Sequence, residues 1–149
     1  MARLAFGNLP DYGKNITVSD FELRQGGKSY SVYTIEHFMG KSENISLFCG
    51  TDMFLSLDTW HRFADIFKYA DIVYIRREND AEMTEQLEEK SEIYRTKYGA
   101  RIRRIEAEPL IISSEQLRAR LSAGLDCSEF VPGNVLAYIK ANNLYGVKA

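Results

Sequence analysis

A short apolar run that ends at a glycine places the strongest constraint on the fold of this chain. Residues 45–49 (ISLFC) are followed directly by Gly50, and apolar residues with helical spacing lie on both sides of the run. Such a run is typical of a buried parallel strand. Further strands are predicted at 71–77 (DIVYIRR) and, more weakly, at 101–107. Because these strands alternate with helices, the sequence predicts an α/β fold with a parallel sheet and helices on its faces.

The remaining elements are predicted from residues that begin or end helices. Ser113 and Gln116 fit a capping box at the start of a helix over 113–123, which Gly124 ends. Pro132 is predicted in the first turn of the last helix, whose inner face carries Val135, Leu136 and Ile139. The other predictions are a strand at 16–23, a break at 25–28, a helix at 30–39 capped by Ser29, a helix at 60–70 and a charged helix at 79–98 ended by Gly99.

Composition narrows the class of protein. The 149 residues, 45% hydrophobic and 27% charged, suit one globular domain over 1–149. A net charge of −2 gives no electrostatic support for a nucleic-acid or membrane partner. Cys49 and Cys127 lie in different segments and predict reduced thiols rather than a disulfide or a zinc site. No apolar run approaches the roughly 20 residues of a membrane span. Without a secretory signal, the expected location is the cytoplasm.

The end of the first predicted strand is one candidate binding site. Ligands of open α/β sheets bind beyond the carboxyl ends of the strands. Gly50 would let a ligand approach the backbone closely, and Asp52 could accept hydrogen bonds from a ribose diol. The alternative is a tight turn in which Asp52 caps a helix, and the residue types alone favour the turn.

A serine-led helix start is the second candidate. Backbone N–H groups at Ser113 and Ser114 would point outward at the positive end of the helix dipole, which suits an anion. Arg118 lies about one turn further on, where its guanidinium could bind phosphate oxygens. The alternative is a capped surface helix with a solvent-facing arginine, and the residue types favour neither arrangement.

The segment Trp60-His61-Arg62 is the third candidate. A lone tryptophan is more often part of a core, but its ring could stack on a flat heterocycle. His61 and His37 have no partners at metal-ligand spacing, so no metal site is predicted, and His37 is expected to be structural or exposed. No serine fits a nucleophile elbow, and no acid–base pair is evident.

Four segments, in this order, resemble one known family. They are VSDFELRQGGKSYSVYTI, LFCGTDMFLSLDTWHRF, IISSEQLRARLSAG and VPGNVLAYIKANNLY. They are similar to segments of the nicotinate- and nicotinamide-mononucleotide adenylyltransferases, members of the nucleotidyltransferase superfamily with a Rossmann-like fold. The phosphopantetheine adenylyltransferases share the serine-arginine motif but not the Trp-His segment or the Asn-Leu-Tyr ending.

The resemblance implies a reaction and a set of site residues. It implies transfer of AMP from ATP, accompanied by Mg²⁺, to nicotinate mononucleotide, which gives deamido-NAD and pyrophosphate in NAD biosynthesis. The residues that match the family's ATP site are Gly50, Asp52, Ile112, Ser113, Ser114 and Arg118. Those that match its mononucleotide site are Tyr30, Ser31, Thr34, Trp60 and His61.

Particular roles follow from the same resemblance. Arg118 is the expected catalytic residue, because it would counter charge on the triphosphate. Trp60 would lie against the pyridine ring, and backbone amides near Ser31 and His61 would receive the nicotinate carboxylate. The choice between nicotinate and nicotinamide, and the formation of a homo-oligomer, stay open.

The sequence departs from the family in one respect. Family members begin with a strand, a glycine-rich turn and an H-x-G-H motif that grips the triphosphate, and no segment here resembles it. The start, MARLAF, is similar to the middle of the family's second helix. The resemblance therefore implies an N-terminally truncated Rossmann-like fold and a chain with little or no catalysis. The alternatives are a non-catalytic nucleotide-binding relative, a fragment that needs a partner chain, and a phosphopantetheine-type adenylyltransferase.

Overall fold

The computed structural model describes residues 1–7, 15–76, 81–107 and 112–147. The chain folds into two compact units. One unit is Phe21–Pro109, and the other combines Met1–Asp20 with Leu110–Ala149. The single domain expected from the sequence stays a prediction.

Between Ser31 and Glu106 the described helices and strands alternate along the chain, as the sequence predicts. The strands are β1 (Ser46–Gly50), β2 (Asp71–Arg76) and β3 (Ile102–Glu106). The helices are α1 (Ala2–Phe6), α2 (Phe21–Gln25), α3 (Ser31–Met39), α4 (Thr51–Leu55), α5 (Phe63–Tyr69), α6 (Ala81–Tyr98), α7 (Ser114–Ser122) and α8 (Gly133–Ala141). None of the helices in the described ranges is long and apolar enough to cross a membrane.

The described strands form one parallel sheet in the order β1-β2-β3. The α/β class predicted from the sequence is confirmed. Strand β2 lies in the centre, which explains why Ile72, Val73 and Tyr74 are all buried. Strand β1 is only partly buried, against the prediction: Cys49 is buried, but Phe48 on the opposite face is 60% exposed. Among the strands in the described ranges, β1 pairs only with β2 and so lies at an edge of the sheet.

Helices pack on the Cys49 face of the sheet and complete the core of this unit. Phe54 of α4 stacks on Tyr74 with ring centroids 4.2 Å apart. Helix α6 corresponds to the charged helix predicted at 79–98. It presents Leu87 and Tyr94 to the core, and its described glutamates are exposed. Gly99 ends the helix with a φ of 65°, the left-handed conformation that glycine adopts most readily.

Three predictions about this unit are wrong. The strand predicted at 16–23 is not found: helix α2 begins at Phe21, and Leu23 is 86% exposed. Ser29 does not cap α3, because Tyr30 occupies the N-cap position without a side-chain bond. Helix α5 begins at Phe63 rather than at residue 60, because Arg62 has a φ of 53° that interrupts helical geometry.

The other unit contains α1, α7 and α8. Ser113 and Gln116 form both bonds of the predicted capping box, at 3.1 and 2.8 Å. Pro132 is the N-cap of α8 rather than a residue of its first turn, which corrects that prediction. The Asn134 amide donates to Leu4 O at 2.6 Å and links α8 to α1. The core of this unit consists of Leu121, Cys127, Val131, Val135, Ile139 and Val147.

Candidate functional site

A pocket of about 350 Å³ opens where α3 begins, beside the segment that follows α4. Its lining residues are Ser29, Tyr30, Ser31, Thr59, Trp60 and His61. The structure thus brings together Tyr30, Ser31, Trp60 and His61 from the mononucleotide set. Thr34 is not in the lining: it lies one turn along α3, and its hydroxyl donates to Glu22 Oε1 at 2.5 Å.

Aromatic side chains give the pocket one wall. The rings of Tyr30 and His61 are 4.4 Å apart and tilted by 38°. Tyr33, one turn along α3 from Tyr30, places its hydroxyl 3.1 Å from His61 Nε2. Sequence reasoning missed Tyr33 as a site residue, although its spacing from Tyr30 places both side chains on one helix face. The result is an imidazole held against two phenol rings.

Backbone donors accompany these rings. Ser31 is the first residue of α3, so its N–H belongs to the donors that a helix leaves without an intrahelical partner. The His61 N–H donates to no other backbone group in the described part of the chain. A carboxylate is a suitable acceptor for two such amides. The pocket therefore combines aromatic side chains with two N–H groups that have no backbone acceptor among the described residues, a combination that suits an aromatic acid.

Trp60 belongs both to the pocket and to the core. It follows a short turn of 3₁₀-helix, Leu57–Thr59, with an extended backbone, and its half-buried side chain packs against the core of the unit. The two interpretations weighed from the sequence, core residue and ligand platform, are therefore both compatible with its position. The helix start predicted at this residue is wrong.

The predicted ribose site lies at the carboxyl end of β1. Gly50 ends the strand and occupies the N-cap position of α4, and Asp52 lies exposed in the first turn of that helix. The alternative prediction was a tight turn in which Asp52 caps a helix. Asp52 does not cap α4, so that part of the alternative is wrong. A Cβ at Gly50 would meet no described atom within 4 Å, so open space lies before the backbone. Neither residue lines the pocket at α3.

The predicted phosphate residues lie in the other unit. Ser114 and Arg118 line a pocket of about 210 Å³, together with Met1, Leu117, Leu121, Val131, Val135, Ile139 and Tyr145. Within the described ranges, no ion pair or hydrogen bond involves Arg118, so its guanidinium is available to an anion. Ser113 is committed to the capping box. Ile112 lines a different pocket, beside Gln116 and Phe130.

Backbone strain accompanies this second pocket. Tyr145 has a φ of 57° and Asn143 a φ of 50°, which is unfavourable for a residue with a side chain, least so for asparagine. Sequence reasoning recognised the Leu-Tyr ending but assigned Tyr145 no place in a site. Sequence alone gave no signal for it, because no glycine or turn motif marks that position.

The sequence is similar to curated adenylyltransferases of bacteria. A probable nicotinate-nucleotide adenylyltransferase of Clostridium botulinum (strain Kyoto / Type A2) is 34% identical over 131 residues, which cover 87% of this chain and 65% of the relative. One of Thermosipho melanesiensis is 34% identical over 135 residues, which cover 89% of this chain and 64% of the relative.

The chain belongs to the nicotinate-nucleotide adenylyltransferase family. It spans about 65% of the length of the curated relatives it matches. No family model matches its sequence.

Solved structures confirm the fold of this family member. The nicotinic acid mononucleotide adenylyltransferase of Plasmodium falciparum, complexed with NaAD, superposes with a TM-score of 0.68 at 16% identity over 99% of this chain and 72% of that one. The same enzyme complexed with APC gives a TM-score of 0.67 over 74% of its length. The Rossmann-like α/β fold expected from the sequence is therefore confirmed, while the roles of individual site residues stay predictions.

Proposed function

We propose that this chain binds nicotinate mononucleotide and ATP and serves the transfer of AMP to the mononucleotide, which gives deamido-NAD and pyrophosphate. The single observation that carries the proposal is the pocket at the start of α3, which gathers Tyr30, Ser31, Trp60 and His61. Family membership supports the same substrates. The cytoplasmic location expected from the sequence stays a prediction.

The pocket supplies what a pyridine carboxylate requires. The flat faces of Trp60 and Tyr30 can contact the ring, an arrangement worth roughly 0.5–1.5 kcal/mol beyond burial. The N–H groups of Ser31 and His61 can receive the carboxylate. A nicotinamide would bring a donor as well as an acceptor to these amides, and its NH₂ group would find no acceptor in that pair. The proposal therefore favours nicotinate over nicotinamide.

The ATP residues are proposed from the second pocket and from β1. Ser114 and Arg118 would bind phosphate oxygens, with Arg118 countering negative charge as the reaction proceeds. Gly50 and Asp52 would hold the ribose. A mononucleotide phosphate oxygen bonds to the α-phosphorus of ATP while the bond to pyrophosphate breaks, without a covalent intermediate. Catalysis is then positioning and charge neutralisation.

Mg²⁺ is proposed to arrive on the ATP phosphates. Among the described residues, no three His, Cys, Asp or Glu side chains converge as metal ligands. Mg²⁺ is usually held by substrate phosphates with one or two carboxylates rather than by a protein cage. Held in that way, the ion would neutralise charge on the triphosphate.

Calorimetric titration with nicotinate mononucleotide tests the proposal. The two histidines of the chain form a matched pair: His61 lines the pocket, whereas His37 stacks on Phe21 elsewhere on α3. We expect the wild type to bind the mononucleotide. His61→Ala keeps the backbone N–H but removes the imidazole that lines the pocket beside Tyr30, so it should bind at least about tenfold more weakly, a loss of about 1.4 kcal/mol. His37→Ala should match the wild type. No binding by the wild type, or equal effects of both variants, would overturn the proposal.

A second measurement separates binding from catalysis. Pyrophosphate release is followed with ATP, Mg²⁺ and the mononucleotide present. The sequence leads us to expect little or no release by this chain, so binding of the mononucleotide without release would assign the chain to nucleotide binding. Release at a substantial rate would contradict that expectation, and its loss in Arg118→Gln would then support the catalytic role of Arg118.

A further inference from the structure

Arg62 directly follows the last lining residue of the α3 pocket and has an unusual backbone. Its φ of 53° and ψ of 40° lie in the left-handed region, which is unfavourable for any residue with a Cβ. Such a conformation persists only where the surroundings hold it, and it is common beside functional sites. The contacts of Arg62 hold this conformation beside the pocket.

The Arg62 guanidinium bridges two carboxylates. Its Nη2 donates to Glu36 Oε1 of α3 at 2.7 Å, and its Nε donates to Asp65 Oδ2 of α5 at 2.7 Å. It also lies 5.9 Å from the centroid of the Tyr33 ring. The bonds to Glu36 and Asp65 raise the pKa of Arg62 above its ordinary value, which is already high, so the guanidinium is charged at neutral pH. Each side chain is about one-third exposed, which screens the pairs in part.

Helix α3 supplies one partner each to His61 and Arg62. Tyr33 and Glu36 are three residues apart in α3 and so project from neighbouring positions of the helix, and Tyr30 precedes them as its N-cap residue. Tyr30 lines the pocket, Tyr33 bonds to His61, and Glu36 bonds to Arg62. Helix α3 therefore contacts both His61 and Arg62, two consecutive residues of the segment that forms the opposite wall of the pocket.

We propose that Arg62 is a positioning residue of the pocket: by bridging Glu36 and Asp65, it holds Trp60 and His61 in the conformation that lines the site. A guanidinium can do this because its planar fork donates in two directions at once, which the point charge of a lysine does not reproduce. The identity of the ligand rests on the proposed function, but the conformational claim does not. The two can therefore fail separately.

The first test needs no ligand, because Trp60 is the only tryptophan of the chain. Acrylamide quenching of its fluorescence reports how well the segment is shielded. We expect Arg62→Ala and Glu36→Gln to raise the quenching constant and to shift the emission to longer wavelength. Glu36→Gln removes only a charge, so it remains informative if Arg62→Ala unfolds. Arg104→Gln breaks an exposed ion pair with Glu106 on β3 in the same unit, and we expect it to match the wild type.

The second test distinguishes positioning from general stability. We expect Arg62→Ala and Glu36→Gln to weaken the binding of nicotinate mononucleotide about three- to tenfold, as the loss of partly screened pairs implies, while the affinity for ATP stays unchanged. Arg62→Lys is expected to lie between wild type and Arg62→Ala. Equal losses for both ligands, or unchanged quenching in both variants, would overturn the positioning role. A wild type that binds no mononucleotide would overturn the proposed function alone.

Discussion

Lys90 Nζ lies 2.6 Å from Asp58 Oδ2, and this ion pair joins helix α6 to the residue that precedes Thr59 and Trp60 in the wall of the α3 pocket. The hydroxyl of the buried Tyr94, one turn along α6, lies 3.2 Å from Asp58 Oδ1. A helix whose outer face carries exposed glutamates thus supports the pocket segment from its inner side. Helix α6 therefore packs against the pocket segment on one face and is exposed to solvent on the other.

We expect Lys90→Met to lower the free energy of unfolding by about 1 kcal/mol, because it removes a partly buried charge-assisted bond. Urea denaturation of both proteins at pH 7 measures the difference. Glu106→Gln, which breaks the more exposed pair with Arg104, is the control and should cost less than about 0.5 kcal/mol. Equal losses in the two variants would contradict this ranking.

The same pair predicts a pH dependence. The hydrogen bond and charge of Lys90 hold the pKa of Asp58 below its usual range. A carboxylate with a lowered folded pKa stabilises the fold above its unfolded pKa of about 3.9, and this stabilisation is lost as the pH falls through the folded pKa. The difference between wild type and Lys90→Met should therefore be constant from pH 7 to about 5 and should shrink below about pH 4. A difference that persists unchanged at pH 3 would contradict it.

Tyr94→Phe should destabilise the chain by about 1–2 kcal/mol, because the buried hydroxyl accepts from Asp58 N–H and lies 3.2 Å from Phe54 O. Tyr98→Phe is the matched control: it lies one turn further along α6, and no hydrogen bond of its hydroxyl is found in the described ranges. Thermal unfolding of the two variants measures the difference. Similar melting temperatures for both would refute it.

Tyr94 also predicts a loss of stability in alkali. Burial raises the pKa of Tyr94 to about 12. A group with a raised folded pKa stabilises the fold fully below its unfolded pKa of about 10, and this contribution is lost between about pH 10 and 12. Tyr94→Phe should therefore show a flatter decline of stability over that range. A decline as steep as that of the wild type would show that other groups cause it.

Both cysteines should resist thiol reagents in the folded chain. Cys49 and Cys127 are free and buried, and burial raises the pKa of the Cys49 thiol to about 11. The reactive thiolate of Cys49 is therefore scarce at pH 8. Mass spectrometry after iodoacetamide treatment should show little labelling in buffer and two labels in urea. Rapid labelling of Cys49 in buffer would mean that the edge strand β1 opens readily.

The sequence predicted those elements whose signals are local. The capping box at Ser113 and the helix-ending Gly99 depend on neighbouring residues only, and both are found as predicted. Residues 45–49 predicted β1 to within one residue. The strand at 16–23 failed because loose alternation over a short segment does not separate a strand from a helix. Leu23, an apolar residue of this segment, is exposed, so it gains none of the burial that would stabilise a strand.

The candidate site could be predicted only in part, for a related reason. Tyr30, Ser31, Trp60 and His61 were recognised through a family resemblance, and the pocket gathers all four. Tyr33 and Glu36 were missed because their importance comes from contacts with residues 28 and 26 positions away along the chain. The left-handed Arg62 also moves the start of the helix predicted at 60–70 to Phe63, and the sequence did not reveal this because no glycine marks that position. Such long-range contacts leave no local pattern to find.

Adjacent serines at the start of α7 allow a cap and a binding residue to be separated. Ser113 accepts from Gln116 N–H in the capping box, whereas Ser114 has no hydrogen-bond partner for its hydroxyl in the described ranges and lines the pocket of Arg118. Ser113→Ala should therefore lower the free energy of unfolding by about 1 kcal/mol. Ser114→Ala should leave stability within about 0.5 kcal/mol of the wild type.

The affinities for ATP should follow a different order. If Ser114 and Arg118 bind the phosphates as proposed, Ser114→Ala should weaken ATP binding several-fold and Arg118→Gln at least about tenfold, because a charge-assisted bond exceeds a neutral one. Calorimetric titration with ATP, paired with urea denaturation of the same samples, gives both quantities. Ser122→Ala, at the far end of α7, is the control for the helix and should not change ATP binding. Unchanged ATP binding by Arg118→Gln would remove this arginine from the proposed site, because loss of a guanidinium that binds phosphate oxygens must weaken the binding of ATP.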